Sequence, residues 1–137
     1  MRKLVAIAAV IGGALASGAT LAHHSFAAEF DRAQPIELKG IVTKIEWTNP
    51  HVWVYMNVRD EATGEMINWG VELGPPHLLQ RSGWRGDTLS IGTQITVNGS
   101  RARNGSNRVN SNTVTLAATG GRPGQTLDAA SSSRDEP

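Results

Sequence analysis

Hydrophobic side chains recur with a period of two through the middle of the chain, and that period predicts strands. The clearest run follows the turn signal Asn49-Pro50, where Val52, Val54, Met56 and Val58 alternate with Trp53, Tyr55, Asn57 and Arg59. Residues 60–64, Asp-Glu-Ala-Thr-Gly, make a short hairpin connection, after which Ile67, Trp69, Val71 and Leu73 alternate in turn. Upstream, Ile36, Leu38 and Val42 share one parity, while Ile41, Ile45 and Trp47 take the other. One straight strand cannot bury both sets, so the pattern calls for a bulge or glycine kink near residues 40–42.

Gly74-Pro75-Pro76 ends the third alternating run, and His77 to Arg81 fit one or two helical turns stopped by Gly83. Ile95 and Val97 mark a fourth strand after a turn at Gly92. Val109 to Leu116 form a fifth, beyond the turn residues Asn104-Gly105-Ser106-Asn107. Three strands, a short helix and two more strands are the element order of an OB-type barrel. The expected fold is therefore all-β: a small five-stranded OB-like barrel over residues 35–118, with one short helix between strands 3 and 4. Its expected core comprises Ile36, Leu38, Val52, Val54, Met56, Val58, Ile67, Trp69, Val71, Ile95 and Val97. Residues 23–34 are expected to form an amino-terminal arm. From Thr119 to Pro137 Gly, Pro, Ser, Asp and Arg dominate without an apolar period, so that stretch is expected to be a disordered tail.

The start of the chain has a different character. Arg2 and Lys3 precede an apolar and small-residue run, Leu4 to Ala16, and small residues lead on to Ala22. These are the three parts of a secretory signal peptide over residues 1–22, and the run is too short for a permanent membrane-spanning helix. Cleavage fits after Ala16 or after Ala22; the polar sequence beginning at residue 23 favours Ala22. The mature chain would then begin His23-His24-Ser25-Phe26, in the periplasm, with no stable membrane insertion.

Composition narrows the function. Between His23 and Ala118 there are nine basic and nine acidic side chains, so the concentrated positive charge that drives nucleic-acid binding is lacking. With no cysteine in the chain, disulfides, thiolate ligands and cysteine nucleophiles are excluded. Ser25 beside His24 does not make a catalytic triad, and Glu29 with Asp31, or Glu46 with Glu72, are carboxylate couples of a kind that scattered acidic residues produce by chance. No enzyme is expected.

Metal chemistry rests on His23, His24, His51 and His77. A free amino-terminal histidine offers an amine and an imidazole, and a second-position histidine adds the intervening amide, giving the tetragonal nitrogen set that Cu(II) or Ni(II) prefers. His51 shares a strand face with Trp53 and is the expected third ligand, whereas His77 is expected to cap the short helix. A copper-binding periplasmic accessory protein using His23, His24 and His51 is thus the first expectation. The alternative is a structural or interaction domain that docks a protein or glycan through Trp53 and Tyr55, without metal. Arg101, Arg103 and Arg108 around the Asn104-Gly105 turn could grip an anion, although arginines flanking an exposed hairpin are commonly only solvated.

Two blocks carry a resemblance: His23-His24-Ser25-Phe26-Ala27-Ala28-Glu29-Phe30-Asp31, and Gly40-x-Val42-Thr43-Lys44-x-Glu46-Trp47-Thr48-Asn49-Pro50-His51-Val52-Trp53. From His23 to about Leu116 the chain resembles a group of uncharacterised exported proteins of Gram-negative bacteria, known as a domain of unknown function. The resemblance implies a periplasmic location and cleavage before His23, and brings no activity, substrate or catalytic residue.

Overall fold

The computed structural model describes residues 25–135, and the expected signal peptide, with His23 and His24, lies outside the described residues. The chain is mostly β. Its longest strand, β1 (Phe30–Glu46), pairs antiparallel with β4 (Gln94–Ala102) along one part and with β2 (Trp53–Arg59) along the other. Where the partners change over, Gly40 passes so close to β2 that a Cβ would stand 2.1 Å from the Asn57 carbonyl oxygen. The register slips between Val42 and Lys44, and this bulge moves the core-facing positions from Leu38 and Val42 to Ile45 and Trp47. Ile41, beside the slip, remains exposed at 48%.

β3 (Met66–Glu72) completes the meander on β2. β5 (Arg108–Leu116) pairs with β4 and then closes the ring by a short parallel ladder, with Gly70, Val71 and Glu72 against Arg108, Val109 and Asn110. This is the expected OB-like ring, closed unevenly because three residue pairs join β3 to β5. Leu38, Val52, Val54, Met56, Trp69, Val71, Ile95 and Val97 are buried inside it, with Ile36, Val58 and Ile67 half-buried against them.

Between β3 and β4 lies the short helix α2, which spans Pro76–Arg81. Proline at its start has no N–H to satisfy, and Gly83 with φ +91° turns the chain away afterwards. Leu79 and Trp84, within and just after α2, are buried in the main core. His77 does not cap this helix, contrary to expectation: the N-cap position is Pro75, no side chain bonds there, and His77 is exposed within the first turn. No helix among the described residues is long and apolar enough to cross a membrane.

Both ends of the domain differ from expectation. Rather than an arm, the described part of residues 23–34 is a second helix, Ser25–Glu29, leading straight into β1. We label this amino-terminal helix α1. Phe26 and Phe30, stacked with centroids 5.9 Å apart, bury themselves against Ala102 and so give it a small core of its own. At the other end the barrel gains a sixth strand, β6 (Gln125–Asp128), which pairs with the second half of β5. The stretch from residue 119 to 135 is therefore not a disordered tail. It buries Leu127 and Ala129 in the main core, and the Trp84 indole N–H donates to the Asp128 carbonyl at 2.7 Å. Buried Asn110 then accepts from Ser131 at 2.5 Å and donates to Ser132 at 3.0 Å, while Arg32 donates to the Ser133 carbonyl.

Candidate functional site

Because Val52, Val54 and Met56 fill the core, strand alternation turns His51, Trp53 and Tyr55 to the outer face. The hairpin register sets Trp53 opposite Glu72 and Tyr55 opposite Gly70. Gly70 leaves a shallow floor on which both rings lie: a Cβ there would be 3.5 Å from Trp53 and 3.6 Å from Tyr55. The rings stack side by side, with centroids 6.4 Å apart and planes 25° from parallel.

A cation covers each ring. The Arg108 guanidinium, opposite Gly70 in the parallel ladder, lies 4.6 Å from the Trp53 ring centre. The Lys44 ammonium lies 5.3 Å from that of Tyr55. Such contacts are worth about 0.5–1 kcal/mol at exposed sites. Glu46 anchors the second pair, 2.5 Å from Lys44 and accepting from the Tyr55 hydroxyl at 3.3 Å. The Lys44 hydrogen bond holds the Glu46 carboxyl below its ordinary range, and Glu46 in turn raises Lys44.

At the strand entrance His51 Nδ1 stands 2.5 Å from Glu72 Oε1. Glu72 is 6% exposed, an unusual degree of burial for a carboxylate and one that demands a partner. Its hydrogen bond raises the His51 imidazole above its usual pKa, against the lowering effect of burial, and Glu29 on α1 adds to the rise through its charge. With its Nδ1–H donated to Glu72, a neutral His51 carries its free lone pair on Nε2. Metal-binding histidines are commonly oriented by a carboxylate in this way.

Of the residues singled out in the sequence, His51, Trp53 and Tyr55 share this face. The His77 side chain makes no hydrogen bond or ion pair among the described residues, and no group of three or more His, Asp or Glu side chains there could hold a metal ion. Glu46 and Glu72 bind different partners, as do Glu29, near Arg108, and Asp31, near Arg103. Sequence reasoning missed Glu72 as the partner of His51 and Gly70 as the floor beneath the rings. The 60–64 hairpin sets Gly70 opposite Tyr55 and Glu72 opposite Trp53, but it does not by itself pair Glu72 with His51.

Fold and face together define an OB-like barrel whose outer surface carries a cation-capped aromatic pair beside a histidine–carboxylate pair. The chain belongs to a family of unknown function, DUF6152, whose model matches residues 12–111. The match ends within β5 and leaves β6 outside it. No curated protein and no solved structure matches the chain.

Proposed function

We propose that the protein is an exported, periplasmic, non-enzymatic binding or accessory protein that takes up one Cu(II) ion through His51 and its mature amino-terminal residues His23 and His24. The observation that carries this reading is the His51–Glu72 pair, which orients the ring and leaves Nε2 available. The neighbourhood of α1 supports it as well. Glu29 is close enough to His51 for its charge to act on the imidazole. Four residue steps of helix, about 6 Å of axis, separate Glu29 from Ser25. His24 and His23 precede Ser25 directly, and each adds up to about 3.6 Å of reach.

The test is a competition titration of Cu(II) into protein recovered from the periplasm. His51→Ala and Glu72→Gln should each weaken binding, the second by roughly 10- to 100-fold, as loss of an orienting carboxylate does elsewhere. Unchanged affinity in both variants would remove the barrel from the site.

The stacked Trp53–Tyr55 pair favours a second reading, an interaction domain that docks a protein or glycan on this face without metal. There, Trp53→Ala and Tyr55→Ala would abolish partner capture, and His51→Ala would leave it intact.

A further inference from the structure

Neither reading gives the arginines around the Asn104-Gly105 turn a ligand-binding role. Arg101 is committed to the Trp69 ring, 5.4 Å from its centre. Arg103 and Arg108 instead line a cavity of about 150 Å³ between residues 28–30 and the β4–β5 hairpin, together with Glu29 and Ser106. That is room for a group of a few non-hydrogen atoms.

The donors around this cavity are largely unspent. A guanidinium has five N–H groups. Arg103 uses its Nε on the Ala27 carbonyl at 2.6 Å, and its Nη1 is 3.6 Å from Asp31. Arg108 stacks on Trp53, and its Nη1 is 3.9 Å from Glu29, too far for a hydrogen bond. The hydroxyl of Ser106 is buried without a hydrogen-bond partner among the described residues. A buried hydroxyl left unpaired is costly, and Ser106 is one of the residues lining the cavity.

We propose that this cavity binds a small oxyanion, a phosphate or carboxylate group, held by the Arg108 and Arg103 guanidiniums with the Ser106 hydroxyl donating. Arginine suits such groups because its planar fork matches two oxygens at once. Glu29 is the built-in competitor: its carboxylate borders the same cavity and loosely pairs with Arg108, so an entering anion displaces it. The site needs no copper, but it shares Arg108 with the Trp53 contact and Glu29 with the surroundings of His51.

The experiment follows backbone amide shifts by ¹H–¹⁵N NMR as inorganic phosphate or acetate is added, with sodium chloride at matched ionic strength as control. Shifts at Ser106 and Arg108 should saturate with phosphate, acetate or both, and the anion that saturates them identifies a phosphoryl or a carboxylate ligand. Arg108→Gln and Arg103→Gln should each weaken binding roughly ten-fold, since each removes a charge-assisted hydrogen bond. Glu29→Gln should tighten it, and the dispersion of each spectrum reports whether that variant is folded. The proposal is overturned if neither anion saturates the shifts, if chloride reproduces them, or if Glu29→Gln fails to tighten binding.

Discussion

His51 and Glu72 meet across the mouth of the β2–β3 hairpin, Nδ1 to Oε1 at 2.5 Å, with the carboxylate almost wholly removed from solvent. A buried carboxylate needs a partner, and the imidazole satisfies it best when protonated.

That pairing sets the sign of a pH effect in the metal-free protein. The folded pKa of His51 is raised from the usual 6.5, chiefly by the Glu72 hydrogen bond. The pair's contribution to stability is therefore fully present below about pH 6.5, where the unfolded imidazole is already protonated, and is lost as pH rises through the folded value. Thermal melting across pH 5–9 should show this loss in the native protein and a flatter profile in Glu72→Gln. NMR titration of the His51 ring in Glu72→Gln should give a lower pKa than in the native protein; an unchanged value would contradict the assigned cause.

The carboxyl-terminal strand should matter to the fold. Leu127 lies buried in the main core, so Leu127→Ala should cost about 2–5 kcal/mol in chemical denaturation, through lost burial plus the cavity left behind. Deleting residues 119–137 should cost at least as much, because Ala129 and the Trp84 bond to Asp128 go with it. A truncated protein as stable as the full chain would contradict the six-strand description.

Two glycines of the sheet should respond oppositely to the same substitution. At Gly40 a Cβ would meet the Asn57 carbonyl oxygen at 2.1 Å, so Gly40→Ala forces β1 and β2 apart and should cost about 3 kcal/mol or more. At Gly70 the nearest atoms are aromatic carbons at 3.5 Å, an ordinary contact. Gly70→Ala should change stability by less than about 1 kcal/mol, since alanine also limits the unfolded chain. Equal losses at both positions would show that the close crossing at Gly40 is not what requires glycine there.

The parts of the fold that were legible in the sequence are those with local periodicity. Val52, Val54 and Met56 announce β2, and the mixed parities of Leu38, Val42 and Ile45 announce the bulge, because a two-residue period maps directly onto sheet faces. β6 was not legible. It is four residues long, offers Leu127 as its one large apolar side chain, and follows a glycine-rich turn, so only its pairing with β5 identifies it as a strand. At the site, His51, Trp53 and Tyr55 were readable as one face, while Glu72 was not readable as the partner of His51. It reads as one polar residue between Val71 and Leu73 until the register, with Arg59 opposite Met66, brings it opposite Trp53.

The most direct test of the copper reading is electron paramagnetic resonance of one equivalent of Cu(II) in three proteins recovered from the periplasm: the native protein, His51→Ala, and one with an extra alanine before His23. Intact mass is measured first and is expected to show that the native chain begins at His23. The added alanine keeps every ligand side chain and displaces the terminal amine, so the expected result is a nitrogen-rich tetragonal spectrum in the native protein that changes in both variants. Identical spectra and affinities in all three would contradict a site shared between His51 and the amino terminus.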